Sequence, residues 1–196
     1  MAHVDNPPST GRVAQTVDVQ GSYVFDSDGA TVPEGPWPLG PEYRLEIVRP
    51  GLFSPKPRDL PRWPFLGFWG LNGLGLLATG DYAIFVVRNG RDLVSYAAVV
   101  PRFFRFPFMG PTDLQIGPIW THPDYRGRSI ARAVIGEILR AYKNRRCWYL
   151  TRAANLASRK VAEGAGLRPV GSVDRTTRFG SRILGSFRLR ETGDGS

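Results

Sequence analysis

One cysteine, two histidines and two methionines in 196 residues leave little redox or metal-ligating chemistry, and no metal site is expected. The lone thiol, Cys147, excludes an internal disulfide and fits a reducing, cytoplasmic setting. It sits beside Trp148, Tyr149 and Leu150 in an apolar run, so it reads as a small core residue rather than a nucleophile. Long hydrophobic runs are also missing. Residues 65–78 form the longest one, which holds Asn72 and four glycines and falls short of the roughly 20 residues a membrane span needs. Residues 1–10 are polar and lack the apolar stretch of a secretory signal, so neither a leader nor a transmembrane segment is expected. Zinc-ligand spacing, a helix-turn-helix pattern and an RNP-type aromatic motif are absent too, which argues against nucleic acid as a partner.

Acidic residues are scarce where basic ones crowd. Residues 101–190 hold 18 Arg and Lys against 5 Asp and Glu, a local charge of +13, while the rest of the chain carries −4. A basic half points to an anionic partner: nucleic acid, an anionic membrane or a phosphorylated small molecule. Charge alone does not choose among them, and part of it is an arginine-rich solvated surface.

A length of 196 residues suits one domain with a core of its own. Residues 1–40 read as an irregular N-terminal extension, broken by Asn6-Pro7-Pro8, Gly35-Pro36-Trp37-Pro38 and Gly40-Pro41, with only Ser22 to Phe25 strand-like. The domain proper is expected over 41–190, and 191–196 is a polar tail. Tyr43 to Val48 alternates as a first core strand should. Phe65 to Leu77 has the length of a helix, although each glycine there costs about 1 kcal/mol relative to alanine. Tyr82 to Val87 and Leu93 to Val100 flank Asn89-Gly90 and read as a hairpin. The aromatic run Phe103 to Met109 is either a plug at the core edge or a cover for a ligand.

The informative stretch begins at Leu114. Leu114 to Thr121 is a strand interrupted by Gly117-Pro118, where proline cannot donate to a ladder, so a bulge or splay is expected. A basic turn follows, His122-Pro123-Asp124-Tyr125-Arg126-Gly127-Arg128-Ser129, and then a helix with apolar residues at Ile130, Val134, Ile135, Ile138, Leu139 and Tyr142. Strand, basic turn and helix N-terminus together make an anion site. The free N–H groups of the first helical turn point outward, the helix dipole adds positive charge, and Arg126 and Arg128 supply forked donors. A diphosphate-bearing ligand is the expected occupant. Cys147 to Thr151 is another short strand, and Asn155 caps a helix closed by Gly166. Leu167 to Val173, then Phe179 to Leu189 with a turn near Gly180, complete an antiparallel finish.

This order resembles the GNAT superfamily of acyl-CoA-dependent N-acyltransferases over residues 43–190. The family's pyrophosphate turn, (Q/R)-x-x-G-x-(G/A), is matched by Arg126-Gly127-Arg128-Ser129-Ile130-Ala131. Its second segment, an Asn with Ala or Ser three residues on and a helix closed by Gly-Phe, is here Asn155, Ser158 and Gly166-Leu167. The resemblance implies a single α/β (mixed α+β) domain whose mostly antiparallel, mixed sheet is splayed at its central strand and flanked by helices. It also implies acetyl-CoA as acyl donor. The backbone of Ile119, Trp120 and Thr121 would pair with the pantetheine arm, the amides of Arg126, Gly127, Arg128, Ser129, Ile130 and Ala131 would hold the diphosphate, and Asn155 and Ser158 would contact the far side.

Two positions depart from the pattern. Ser129 replaces a glycine, so a positive φ there would be strained. The tyrosine that many members carry seven residues after the asparagine, as general acid for the leaving thiolate, is here Ala162. Candidate bases are Asp113, Glu163, His122 and Asp81. Tyr82, Tyr96, Tyr125 and Tyr149 are the tyrosines that would replace the missing acid. Asp113, Glu163 and Tyr149 are carried forward as the catalytic set.

The expected activity is transfer of an acetyl group to a primary amine of a small molecule, and the missing tyrosine resembles members that act on amino sugars or sugar nucleotides in bacterial glycan pathways. A peptide or protein amine is the rival acceptor. A CoA-binding or nucleic-acid-binding domain without turnover is the rival class, and a homodimer is a possible assembly.

Overall fold

Alternating and uniformly apolar runs of β-branched and aromatic residues assemble here into one sheet, with amphipathic helices laid over its faces. The computed structural model describes residues 22–28, 39–50, 59–77, 80–176 and 185–191. In chain order the elements are β1 (Ser22–Asp26), β2 (Tyr43–Val48), α1 (Arg62–Gly73), β3 (Ala83–Asn89), β4 (Asp92–Pro101), β5 (Leu114–Thr121), α2 (Ile130–Ala141), β6 (Cys147–Arg152), α3 (Leu156–Gly164), β7 (Arg168–Arg175) and β8 (Phe187–Glu191). They form an eight-stranded sheet in the order β2-β3-β4-β5-β6-β1-β7-β8. All neighbours run antiparallel except β5 and β6. This is the mixed, mostly antiparallel sheet that the resemblance implied.

The position of β1 corrects the boundary drawn at residue 41. Ser22–Asp26 pairs with β6 on one side and β7 on the other, so it is an interior strand of the domain. Its Val24 and Phe25 are fully buried. Residues 1–21, 29–38 and 192–196, which include the rest of the extension and nearly all of the polar tail, lie outside the described residues, as do 177–184 in the expected last strand.

β3 and β4 form the expected hairpin across Gly90-Arg91. α1 begins three residues before the expected Phe65 because Pro64 falls in its first turn, where no backbone N–H is needed for the helix. It ends at Gly73, ahead of Gly75 with φ +67°. A Cβ added at Gly67 or Gly70 would meet nothing within 4 Å, so these glycines do not serve close packing. No helix among the described residues is long and apolar enough to cross a membrane.

Two cores sandwich the sheet. On one face, α2 presents Ile130, Val134, Ile135, Ile138 and Leu139 to Phe85, Val87, Val99 and Ile116, with Ala162 of α3 beside them. Each of these large aliphatic side chains contributes about 1.5–3 kcal/mol by burial. On the other face, Ile84, Val86, Tyr96 and Val100 meet Leu60, Tyr82 and Phe103, with Phe68 and Leu71 of α1 packed against them. Phe103, Phe106 and Met109 are buried and Phe104 is exposed, so the aromatic loop plugs the core edge.

β5 is where the sheet opens. It pairs with β6 only over Leu114↔Cys147, Gln115↔Trp148 and Ile116↔Tyr149. Gly117 follows with φ +141°, a conformation that L side chains rarely adopt, joined to Pro118 by a cis peptide. Against β4 the register jumps from Val99↔Ile116 to Ala97↔Ile119, so Gly117 and Pro118 together oppose Ala98 as a bulge. Beyond it, β5 continues beside β4 alone. The interruption at Gly117-Pro118 therefore produces both expected features, a bulge and a splay.

Candidate functional site

The chain leaves β5 through His122, whose Nδ1 accepts the Asp124 N–H at 3.4 Å and starts a short 3₁₀ turn, Pro123–Tyr125. Arg126 then folds back, its Nε donating to the Thr121 carbonyl at 3.2 Å. Gly127 with φ +77° and Ser129 with φ +58° bend the backbone into α2. Ser129 thus takes the left-handed conformation that glycine would take without penalty. Its hydroxyl does not cap the helix, and no acid occupies the first turn, so the positive pole of α2 has neither a capping side-chain bond nor a carboxylate of its own first turn.

That pole opens into a cavity of about 640 Å³ on the α2–α3 face. Ile119, Trp120, Thr121, Arg126, Gly127, Ser129, Ile130, Ala131, Asn155 and Ser158 all line it. Arg128 does not. Its guanidinium lies 5.2 Å from the centre of the Tyr125 ring and donates to the Tyr43 hydroxyl at 3.5 Å, so it braces the turn from outside. Sequence reasoning missed Arg132 and Lys160 as lining residues. With Arg126 they make the described lining cationic without a single carboxylate. The helical repeat set Arg132 apart from the apolar stripe, but no local signal pointed Lys160 toward α2.

α3 supplies the far wall. Asn155 Oδ1 accepts the Ser158 N–H at 3.1 Å, the expected N-cap. The helix closes with Gly166 at φ +91°, the N–H of Leu167 reaching the Ala162 carbonyl and that of Gly166 reaching Glu163, a Schellman arrangement. Ser158 shares a short hydrogen bond with the hydroxyl of Tyr149, which projects from β6 into the same cavity. Burial pushes the Tyr149 phenol above its ordinary value, and the Ser158 contact opposes that rise in part. Ala162, at the position of the usual tyrosine, is fully buried in the core.

The other catalytic candidates lie elsewhere. Asp113 precedes β5 in a turn, where its Oδ2 accepts the Gly110 N–H at 2.8 Å and the Trp148 indole N–H at 2.7 Å. It borders neither this cavity nor the one described next. The strand alternation that suggested it does not extend through the Gly110–Asp113 turn. Glu163 is exposed on α3 and lines neither cavity. Asp81 is ion-paired with Arg145, and His122 packs edge-on against Trp120 and Tyr125. Tyr125 also lines the cavity, whereas Tyr82 and Tyr96 are buried in the core on the opposite face. Burial pushes the Cys147 thiol up to about 12, in keeping with a core residue.

A second cavity, about 760 Å³, lies on the opposite face of the sheet between α1, the aromatic loop and β8. Its floor is Gln115, Ile116, Gly117 and Pro118 of β5 with Leu150 of β6. Tyr149 and Leu150 are neighbours on β6, and Pro118 and Ile119 are neighbours on β5. The two cavities therefore approach one another where these strands part.

The Acetyltransferase (GNAT) family model matches residues 49–167. No curated protein matches the chain. Among solved structures it is similar to a tandem GNAT protein from the clavulanic acid biosynthesis pathway, at 14% identity and TM-score 0.55, over 91% of this chain and 55% of that one. It is also similar to a GNAT-family acetyltransferase from Novosphingobium aromaticivorans (17% identity, TM-score 0.49, 78% and 61%) and a GCN5-related N-acetyltransferase-like protein from Streptococcus suis (15%, 0.48, 77% and 58%). The chain spans a little over half the length of each of these structures. With the family match covering β3 through α3, where the splay, the basic turn and the capped helix lie, the chain belongs to the GNAT acetyltransferase family.

Proposed function

We propose that this domain transfers the acetyl group of acetyl-CoA to a primary amine of a small molecule. One observation carries the reading: two cavities on opposite faces of the sheet approach each other at the β5–β6 opening. The cavity on the α2 side has the chemistry of a diphosphate site, with uncapped helical N–H groups, three cationic side chains and no described carboxylate. The length of β5 at Ile119–Thr121, paired with β4 but not with β6, offers a strand edge to an extended, amide-bearing arm. The other cavity is of small-molecule size.

In this reading the amine enters from the α1 side and the thioester from the α2 side. The amine nitrogen bonds to the acetyl carbon, the carbon–sulfur bond breaks, and the amine loses a proton as the departing thiolate gains one. Of the two tyrosines in the described lining, Tyr149 is the proton donor in this reading: its phenol stays protonated at neutral pH and its hydroxyl is oriented by Ser158. Neither described lining holds a carboxylate or histidine. The amine is accordingly deprotonated by solvent, and the reaction draws on its free-base fraction.

An amino sugar, free or nucleotide-linked, is the finer reading of the acceptor, supported by the aromatic wall and the basic half of the chain. Ala162 at the usual tyrosine position favours a second reading, a domain that binds CoA without turnover. Release of free CoA thiol, measured with amino-sugar nucleotides, aminoglycosides, polyamines and peptides, separates the two. Turnover with a small amine is expected. Tight acetyl-CoA binding with no turnover on any amine would leave only the binding role. Filling the second cavity through Gly67→Trp, which projects into open space, should abolish turnover while acetyl-CoA still binds.

A further inference from the structure

The second cavity holds an unusual pairing of walls. Phe68, Leu71, Phe103, Phe106 and Leu150 make it apolar, yet Arg105 and Arg175 also line it, and no acidic residue does among those described. Phe187 ties the two arginines together. Its N–H donates to the Arg105 carbonyl at 2.8 Å, its ring stacks on Phe106 at 5.2 Å, and it pairs directly across the ladder with Arg175. The guanidinium carbons of Arg105 and Arg175 lie 5.5 and 5.9 Å from the centre of its ring. Nε of Arg105 is buried without a hydrogen-bond partner among the described residues. Burial, and then the like charge of Arg175, lower the Arg105 pKa from its ordinary value. The buried Nε of Arg105 carries a desolvation cost that a bound anion would offset, and the exposed guanidinium of Arg175 beside it adds a second positive charge.

At the floor, Gln115 presents a second unanswered group: its Oε1 is buried and has no partner among the described residues. It stands two residues before Gly117, where the strands part. A carbonyl oxygen there accepts hydrogen bonds from an amine N–H but cannot take its proton.

We propose that this cavity selects a primary amine that also bears an anionic group, a carboxylate or a phosphate, held by Arg105 and Arg175 while Gln115 orients the amine toward the opening. The apolar walls take the body between the two ends. This specificity rests on the reading of the cavity as the acceptor side.

Three probes with one body test it: tyramine, 4-(2-aminoethyl)benzoate and the phosphate monoester of tyramine. Calorimetric titration without acetyl-CoA reads binding independently of turnover. At least one anionic probe should bind ten-fold or more tightly than tyramine, and the stronger of the two identifies carboxylate or phosphate as the recognised group. The preference should shrink several-fold from 0.05 to 0.5 M salt. Arg105→Gln and Arg175→Gln should each reduce it toward unity, with folding checked by thermal unfolding. Gln115→Leu should weaken all three probes alike. Equal binding of the three probes, failure of both anions to bind, or a preference that survives both arginine substitutions overturns the proposal. Thiol release with the same amines is scored separately: anion preference without turnover sinks acetyl transfer alone, and turnover without anion preference sinks this inference alone.

Discussion

The hydroxyls of Tyr149 and Ser158 share a hydrogen bond across the cavity between β6 and α3, which fixes the Tyr149 phenol in the cavity wall while Ala162 of α3 is buried in the core. Tyr149→Phe keeps the ring packing and removes the proton. It should lower kcat roughly 10- to 100-fold, at the low end for an acid because a thiolate leaves readily, with little change in the acetyl-CoA KM. Burial raises the Tyr149 pKa, so the protonated, active form persists through neutral pH and activity falls only above pH 10. Below that limit, kcat/KM should climb with the free-base fraction of the amine used, moving with the amine's own pKa. A rising limb fixed near pH 4–6 for every amine would point to an enzyme carboxylate instead.

In the proposed reading, charge holds the donor in the first cavity. Replacing Arg126 or Lys160 by Gln should weaken CoA binding about ten-fold each, a little over 1 kcal/mol, and should flatten its salt dependence. Arg128→Gln should have a smaller effect, because that side chain lies against Tyr125 and Tyr43 outside the cavity. Titration of CoA at two ionic strengths checks the order. Equal losses at all three positions would contradict it.

Ser129 carries a conformational penalty that glycine would not. With φ +58° and no capping bond from its hydroxyl, Ser129→Gly should stabilise the domain by about 1 kcal/mol. Denaturant unfolding reads this directly, and a lower midpoint in the variant would show that the serine makes a compensating contact.

Asp113 ties the turn before β5 to Trp148 and borders neither described cavity. Asp113→Ala strands the Trp148 indole N–H and the Gly110 N–H, and should cost about 2–3 kcal/mol of unfolding free energy. Turnover per folded molecule should persist. Loss of turnover in a variant shown to be folded would restore it to the catalytic set.

What could be read from the chain without coordinates was what is contiguous in it. Gly117-Pro118, Arg126 to Ala131 and Asn155 to Gly166 each act on backbone within a few residues, so bulge, helix start and cap were legible, and most of the residues they pointed to line one cavity. Direction within the turn was not: Arg126 folds back to Thr121 while Arg128 turns out to Tyr43, a choice made by tertiary contacts. The second cavity was still less legible. Arg105, Arg175 and Phe187 come from a loop and two strands, and only the pairing of β7 with β8 and the Phe187–Arg105 hydrogen bond bring them together. The place of β1 was hidden for the same reason. Five residues between proline- and glycine-rich segments announce a strand but not its partners.

That strand also has a consequence for how the domain assembles. β2 through β6 can zip up sequentially, but β7 and β8 join the rest of the sheet only through Ser22–Asp26, whose partners begin about 120 residues downstream. Closing so long a loop is slow. The α2-side cavity belongs to the half that forms from nearby segments, and the Arg175–Phe187 wall belongs to the half that waits. In the proposed reading, competence to hold the acyl donor should therefore precede, during folding, competence to choose what receives it.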